Sequence, residues 1–264
     1  MITSPKNDKA KYIRALQSRR RVRQREHRLV FEGVRLIEET VRADFPPVFV
    51  FHTEEANSDA RSSKLLKMLR RMQVPCHTVS ERVMDACSDT ETPQGILAVL
   101  PIPDLAPPNH PTFTLILDRV QDPGNLGTIL RTALAGGVEQ VLLAPGTVDA
   151  NNPKVVRAAM GAHLRLPVAA ITWKAITEAV VGCDVWLADI DGEALYTTVD
   201  WTRPTALIVG NEARGAGEQA RSLAQGDISI PMTAEVESLN TAAATAVVIF
   251  EVVRQRGIKT NHTA

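Results

Sequence analysis

Short apolar segments alternate with amphipathic ones along most of the chain, and this pattern is typical of an α/β protein. In residues 112–264, apolar runs predict strands, and segments with apolar residues every three or four positions predict helices. The predicted strands there are 114–117, 140–144, 184–188, 206–209 and 228–230, and the predicted helices are 125–135, 153–160, 174–181, 217–224 and 238–255. Strands that alternate with helices predict a mainly parallel sheet with helices on both faces.

The first hundred residues predict a smaller α/β layer. Its predicted helices are 9–16, 31–41, 63–72 and 81–86, and its predicted strands are 48–51, 74–79 and 96–100. Residues 101–111 contain five prolines, which fix φ and remove amide donors, so this stretch predicts a semi-rigid linker. The expected domains are therefore 1–100 and 112–264, with 101–111 between them.

Composition narrows the class of protein. A chain of 264 residues with 44% hydrophobic residues is long enough for two domains with substantial cores. The sequence contains neither an apolar run of roughly 20 residues nor a signal-peptide pattern at its start, so we expect no membrane segment. The scattered Cys76, Cys87 and Cys183 form no C-x-x-C pair, and the histidines are dispersed, so we expect a reducing cytoplasm and no metal site.

Charge is unevenly distributed. The chain has 30 basic and 30 acidic residues, but residues 1–35 hold eleven Lys and Arg against three Asp and Glu. Guanidinium groups suit phosphate contacts because they are always charged and can donate two parallel hydrogen bonds. The residues predicted to contact nucleic-acid phosphates are Arg19, Arg20, Arg21, Arg23, Arg25 and Arg28. A solvated basic helix without a partner is the alternative.

Three short polar segments follow predicted strands in the second part of the chain. They are Asp-Pro-Gly-Asn-Leu-Gly (122–127), Gly-Asn-Glu (210–212) and Ser-Leu-Asn (238–240). The carboxyl ends of parallel strands meet at one edge of a sheet, where α/β proteins bind their ligands. The ordered set therefore predicts a ligand site. A fourth segment, 215–220, matches a dinucleotide-binding pattern but lacks its strand context, so it does not predict a nicotinamide or flavin site.

Several candidate residues in or near these segments also have a purely structural interpretation. Asn125 and Ser238 are both suited to cap the helices that follow them. Arg131, on an otherwise apolar helix face, is either an ion-pair partner or a cation that faces the substrate. Gly210 permits close approach of the backbone to a ligand, and Glu212 either serves the chemistry or holds its loop.

The ordered motifs resemble those of the SpoU/TrmH family of RNA ribose 2′-O-methyltransferases, in the SPOUT superfamily, over residues 112–256. The Arg-rich start, Phe-Glu-Gly (31–33) and Thr-Pro-Gln-Gly (92–95) resemble the substrate-binding domain, similar to ribosomal protein L30e, that often precedes the family's catalytic domain. The resemblance implies a C-terminal trefoil knot, S-adenosylmethionine as methyl donor and a homodimer. The chain departs from the family where Thr241-Ala242 replaces the usual Val-Ser.

The same resemblance implies the site residues. The catalytic residues would be Arg131, Asn125, Ser238, Asn240 and Glu212, and the cofactor-binding residues Gly210, Ile230, Leu239, Asn211 and Ala188. The arginine that matches Arg131 is proposed in the family to help deprotonate the ribose 2′-hydroxyl. A guanidinium keeps its charge in proteins, so orienting the hydroxyl and stabilising the developing negative charge is physically easier.

We therefore expect an S-adenosylmethionine-dependent RNA 2′-O-methyltransferase that acts on 23S rRNA, with RNA and a second copy of the chain as partners. The sulfonium methyl is already activated, so the reaction needs no metal. Methylation of tRNA or of a base is one alternative, and a noncatalytic RNA-binding or ribosome-assembly protein is another. The presence of Asn125, Arg131, Ser238 and Asn240 together disfavours the noncatalytic alternative, because simple binding would not require all four.

Overall fold

The computed structural model describes residues 1–233 and 238–257 of the chain. Its helices are α1 (Asp8–Ser18), α2 (Arg20–Glu26), α3 (Val34–Arg42), α4 (Glu54–Ser58), α5 (Ala60–Arg71), α6 (Glu81–Cys87), α7 (Pro123–Ala135), α8 (Pro153–Ala159), α9 (Trp173–Ala179), α10 (Glu218–Leu223) and α11 (Thr241–Arg256). Its strands are β1 (Arg28–Glu32), β2 (Phe49–His52), β3 (Cys76–Thr78), β4 (Ile96–Pro101), β5 (Phe113–Leu117), β6 (Gln140–Leu143), β7 (Val168–Ala170), β8 (Asp184–Ala188), β9 (Ala194–Leu195), β10 (Thr205–Val209) and β11 (Gly226–Ser229).

These elements form two compact units. Unit 1 consists of Met1–Asp104 and Asp149–Arg165, and unit 2 of Leu105–Val148 and Leu166–Ala264. None of the helices within residues 1–233 and 238–257 has the length and apolar character needed to cross a bilayer.

Unit 1 is built on a four-stranded sheet in the order β1-β4-β2-β3. Successive strand residues point to opposite faces, and both faces are covered. One face packs against α3, α5 and α8, where Leu36, Leu66 and Val156 are buried. The other face packs against α1 and α6, where Ile13 and Met84 are buried. Two helical layers therefore explain why β4 is apolar at almost every position.

The start of α3 differs from the sequence prediction of a helix over 31–41. Phe31 and Glu32 belong to β1, which pairs antiparallel with β4, and Gly33 turns the chain with φ +96° before α3 begins at Val34. As part of a strand that pairs with β4, the apolar residues at 29–31 bury their side chains between two helical layers. This burial stabilises the strand more than a longer α3 would. The strands β1, β7 and β9 and the short helices α2 and α4 are likewise absent from the elements predicted by the hydrophobic pattern.

Residues 149–165 pack in unit 1, although the sequence analysis assigned them to a domain beginning at 112. Val156 and Leu164 lie in the same buried cluster as Leu29 and Phe31 of β1. The cluster contains apolar residues from both chain segments of unit 1. A single boundary along the sequence cannot place both segments in the same domain. The division at 1–100, 101–111 and 112–264 stays a prediction.

Unit 2 is built on a seven-stranded sheet in the order β7-β6-β5-β10-β8-β11-β9. Every strand pair in it is parallel. Ile116, Leu187 and Ile208 pack with Ile176 of α9 and Ala220 of α10 in one buried cluster. Helices α7 and α11 pack against each other, so closely that a Cβ at Gly136 would overlap Ile249. The predicted α/β class with a mainly parallel sheet is confirmed.

Candidate active site

The three polar segments lie at one edge of the parallel sheet of unit 2. Leu117 of β5 pairs with Val209 of β10, which also pairs with Ala188 of β8, and Ile228 of β11 pairs with Ala188. The chain leaves all four strands at their carboxyl ends. The loops that follow therefore converge, although their sequence positions span more than a hundred residues.

Asn125, Glu212 and Asn240 form a chain of hydrogen bonds. The side-chain amide of Asn240 donates to Oδ1 of Asn125 over 2.9 Å, and the amide of Asn125 donates to Oε1 of Glu212 over 3.1 Å. Oδ1 of Asn240 accepts from the backbone amides of Ala242 and Ala243 at 2.9 and 3.2 Å. Each amide thus has its donor and acceptor ends fixed, so one residue from each of the three predicted motifs is held in a defined orientation.

Glu212 also holds the loop before α7. Its carboxylate lies 3.4 Å from the backbone amides of both Gln121 and Asp122. Asp122, rather than Asn125, caps α7, because its Oδ1 accepts from the backbone amide of Asn125 at 2.7 Å. The side chain of Asn125 is therefore free of capping and available to the network.

The cap of α11 also differs from the sequence analysis. Helix α11 begins at Thr241, and its cap is Asn240. Ser238 is exposed and lies before the cap, so the helix that was predicted from 238 starts three residues later. Capping does not account for Ser238.

A cavity of about 210 Å³ lies beside this network. Seven of the predicted site residues line it: Ala188, Gly210, Asn211, Glu212, Ile230, Ser238 and Leu239. Asp189, Ile190 and Met232 also line the cavity, although they were not among the predicted site residues. Asp189 pairs with Arg221 at 2.7 Å. The position of Asp189 directly after β8 was a usable signal, because the other site residues also follow strands.

Gly210 and Asn211 shape the wall of the cavity. A Cβ at Gly210 would lie 2.5 Å from the backbone nitrogen of Ala216, so only glycine permits this close return of the chain. Oδ1 of Asn211 accepts from the backbone amides of Ala213 and Arg214, both at 3.0 Å. The side chain of Asn211 is therefore used to fold its own loop, and its contribution to a ligand would come mainly from its backbone.

Arg131 lies apart from this network. It is exposed on α7, on the same stripe as Gly124, Thr128 and Ala135, and its side chain makes no hydrogen bond or ion pair with any residue in 1–233 or 238–257. The Arg131 side chain therefore has no ion-pair partner among those residues, so the structural alternative finds no support there. An exposed guanidinium without a protein partner can bind an anionic group from outside.

Five of the six predicted RNA-binding arginines reach the surface of unit 1. Arg19, Arg20, Arg21 and Arg25 are exposed and Arg28 is half-buried. A groove of about 580 Å³ next to Arg19 is lined in addition by Lys11 and Arg14 on α1 and by Ser88 and Asp89. Positive charge therefore extends from α2 along the exposed side of α1.

Arg23 contradicts its predicted role. Its side chain is 5% exposed and pairs with Asp149 at 2.6 Å, while Nη1 donates to the carbonyl of Leu16 at 2.7 Å. The charge that suggested phosphate binding is neutralised inside unit 1. Sequence alone missed this because Asp149 lies 126 positions away.

Within the described parts of the chain, no group of three or more His, Cys, Asp or Glu side chains is arranged to hold a metal ion. His163, which the sequence analysis left out of the site, is 6% exposed, and its Nε2 lies 2.7 Å from the carbonyl oxygen of Ala150. Burial lowers the pKa of this imidazole.

Two family models match the chain. The SpoU rRNA Methylase family matches residues 112–250, and the MRM3-like substrate binding domain matches residues 7–98. These matches cover the two parts in which the sequence analysis found its motifs.

Named proteins match over nearly the whole chain. The 23S rRNA (guanosine(2553)-2′-O)-methyltransferase RlmP of Bacillus subtilis is 34% identical over 257 residues, which cover 94% of this chain and 97% of that protein. The 23S rRNA (guanosine-2′-O-)-methyltransferase RlmB of Xanthomonas axonopodis is 33% identical over 85% of this chain and 95% of its own length. The crystal structure of the SpoU methyltransferase AviRb from Streptomyces viridochromogenes, in complex with the cofactor AdoMet, superimposes with a TM-score of 0.86 and 27% identity, over 95% of this chain and 98% of that one.

Proposed function

The chain belongs to the SpoU rRNA methylase family, and from this premise we propose that it transfers a methyl group from S-adenosylmethionine to a ribose 2′-hydroxyl of 23S rRNA. The family is an enzyme family with the SPOUT fold, and S-adenosylmethionine is its methyl donor. The observation that carries the proposal is the hydrogen-bonded chain Asn240–Asn125–Glu212 beside the cavity at the carboxyl edge of the parallel sheet.

The cavity fits the methyl donor by its chemistry. Its wall combines apolar groups such as Ile230 and Leu239 with the two carboxylates of Asp189 and Glu212. An adenine ring suits the apolar wall, and the cationic sulfonium suits the carboxylate of Glu212, which accepts from neutral amides, whereas Asp189 is already paired with Arg221. The bound donor supplies an activated methyl group. The residues of this chain then have to bind and orient the ribose, exclude water and stabilise charge.

The acceptor side is assigned to the residues around Asn125. Asn125 and Asn240 have fixed amide orientations, and Ser238 contributes an exposed hydroxyl at the cavity. Arg131, which has no partner among the described residues, would orient the 2′-hydroxyl and the adjacent phosphate and stabilise the negative charge that develops on the ribose oxygen. Holding the two reactants within near-attack distance supplies much of the rate.

Unit 1 is assigned to substrate binding. Arg19, Arg20, Arg21 and Arg25 expose guanidinium groups, and the groove beside Arg19 adds Lys11 and Arg14. Most of the affinity of a protein for RNA phosphates comes from such charges through counterion release. The relatives RlmP and RlmB carry 23S rRNA in their names, which favours rRNA over tRNA as the substrate. We also propose a cytoplasmic location, which the scattered cysteines support.

A homodimer through α11 is the second part of the proposal. Val247 and Phe250 are 36% and 50% exposed, and together with Ala243 they form an apolar stripe opposite the buried side of α11. A second copy of the chain is the occupant that the family resemblance implies. Val247→Glu with Phe250→Glu should convert the dimer to a monomer in analytical ultracentrifugation. Leu195→Glu, at an apolar position of similar exposure on the edge strand β9, is the matched control.

One experiment tests the reaction and the substrate together. The 2′-O-methylated positions of rRNA and tRNA would be mapped in cells that lack the gene and in the same cells complemented with the parent chain or with Arg131→Ala. Loss of one 23S rRNA methyl group that only the parent restores supports the proposal. Loss of a tRNA methyl group would reassign the substrate, and an unchanged map would favour the noncatalytic alternative.

A further inference from the structure

Asp118 is a buried carboxylate directly after β5. It is 1% exposed, and its Oδ2 accepts from the backbone amide of Gly217 over 2.6 Å. The guanidinium of Arg119 lies beside it, with Nε 3.3 Å from Oδ1. A buried carboxylate is costly unless it is paired and hydrogen-bonded, and here both conditions are met. Neither Asp118 nor Gly217 lines the donor cavity.

The next residue holds the other end of the same loop. The carbonyl oxygen of Arg119 accepts from the side-chain amide of Asn211 over 2.7 Å. Arg119 has φ +57°, a left-handed conformation that is uncommon for a residue other than glycine. Its backbone amide donates to Oγ1 of Thr147 over 3.0 Å, which fixes this conformation from outside the loop.

The segment between these two attachment points is a wall of the cavity. Five of its residues line the cavity: Gly210, Asn211, Glu212, Ala213 and Gly215. One of them, Glu212, also accepts the hydrogen bond from Asn125. The conformation of residues 210–217 therefore determines both the shape of the donor pocket and the position of the acceptor-side network.

We propose that Asp118 and the backbone of Arg119 form a two-point clamp that positions residues 210–217 for binding of the methyl donor. The inference rests on the proposed function, because the cavity must be the donor site. Asp118 is a positioning residue, since it acts through Gly217 and contacts neither the cavity nor Asn125. Gly217 suits the clamp because a Cβ there would lie 2.8 Å from Nη2 of Arg119 and 3.2 Å from Oδ2 of Asp118.

The test compares Asp118→Ala and Asp118→Asn with Asp184→Ala in the full-length protein. Asp184 is a matched control, because it pairs with Arg203 at 3.1 Å and begins β8, so it lies at the opposite edge of the same sheet. Calorimetry would measure the dissociation constant of S-adenosylmethionine. Hydrogen–deuterium exchange would report on residues 210–217, and steady-state kinetics would give kcat at saturating donor.

Asp118→Ala should raise the donor dissociation constant about tenfold, because one charge-assisted hydrogen bond no longer holds the loop. Hydrogen exchange should become faster in residues 210–217 while β5 and β10 stay protected. The value of kcat should decrease by a smaller factor than the KM for the donor increases. Asp118→Asn should have a smaller effect, since its side-chain oxygen can still accept from Gly217. Asp184→Ala should match the parent.

An unchanged donor dissociation constant together with unchanged exchange in Asp118→Ala would overturn the clamp. If Asp118→Ala does not fold, Asn211→Asp decides the matter, because it keeps the acceptor for the backbone amides of Ala213 and Arg214 but removes the donor to the carbonyl oxygen of Arg119. An unchanged donor dissociation constant and unchanged exchange in that variant would overturn the clamp. Failure of the parent itself to bind S-adenosylmethionine would overturn the proposed function instead, so the two outcomes are distinguishable.

Discussion

The side-chain amide of Asn240 donates a hydrogen bond of 2.9 Å to Oδ1 of Asn125, although 115 positions separate the two residues. Asn240 also caps α11, and the side-chain amide of Asn125 in turn donates a hydrogen bond to Glu212. The residue that caps the start of α11 thus fixes the orientation of a side-chain amide on α7. Capping and site geometry depend on different atoms of Asn240, so substitutions can separate them.

Asn240→Asp should lower kcat about a hundredfold while it preserves stability. Aspartate caps helices as well as asparagine does, but it offers an oxygen instead of an amide to Oδ1 of Asn125, which cannot turn because its own amide is held by Glu212. Asn240→Ala should lose the same activity and also about 1 kcal/mol of unfolding free energy. Methyl-transfer assays and urea denaturation check both. Equal stability loss in the two variants would show that the cap does not tolerate aspartate.

Arg131→Ala should reduce methyl transfer about a thousandfold with little change in donor affinity, because its expected partners are the ribose and phosphate of RNA. Arg131→Lys should recover only part of the activity, since lysine lacks the planar fork. Single-turnover kinetics and donor calorimetry give the two quantities. The control is Arg203→Ala, which removes an exposed arginine at the other edge of the sheet. Near-normal turnover in Arg131→Ala would contradict the catalytic assignment.

Charge reversal of Arg19, Arg20 and Arg21 should weaken RNA binding and reduce its salt dependence. Each lost phosphate contact lowers the slope of log K against log salt by about 0.7 to 0.9. The three residues lie at the start of α2, where acidic replacements suit the helix dipole, so folding should not suffer. Lys64, Lys67 and Arg71 on the exposed face of α5 provide a matched triple reversal. Equal slopes in the two triple variants would mean that the cluster at the start of α2 is only a solvated surface.

Arg23→Ala should destabilise unit 1 by about 3 to 5 kcal/mol, because it leaves the largely buried carboxylate of Asp149 without its partner. Scanning calorimetry of Arg23→Ala, Asp149→Ala and the double variant would give the coupling energy between them. Arg20→Ala, exposed on the same helix, is the control and should leave Tm unchanged. Additive effects of the two single substitutions would exclude a coupled pair.

The unfolding free energy should fall as the pH drops below about 6.5, the ordinary pKa of histidine. Burial lowers the pKa of His163 in the folded state, and it does the same for His52 and His77. Below the unfolded value, the unfolded chain takes up protons that the folded chain does not, at up to about 1.4 kcal/mol per pH unit for each histidine. His163→Gln should flatten the dependence in urea titrations, whereas the exposed His110→Gln should not.

Local signals in the sequence were enough for the class of fold and the place of the site. The alternation of apolar runs and amphipathic segments determined the parallel sheet, since each element has to bury one face or both. The polar residues after β5, β10 and β11 determined the site, because parallel strands end at a common edge. These signals depend on residues within a few positions of one another.

Long-range pairing decided the rest. The strand Arg28–Glu32 exists because β4 pairs with it, and the buried role of Arg23 exists because Asp149 comes to lie beside it. The clamp of Asp118 on Gly217 likewise joins residues 99 positions apart. The sequence by itself determined which side chains were available for chemistry. Only the tertiary structure decided which of them are neutralised, which hold a loop and which remain free, because the energy of a charge or an amide depends on the partners and the burial that folding provides.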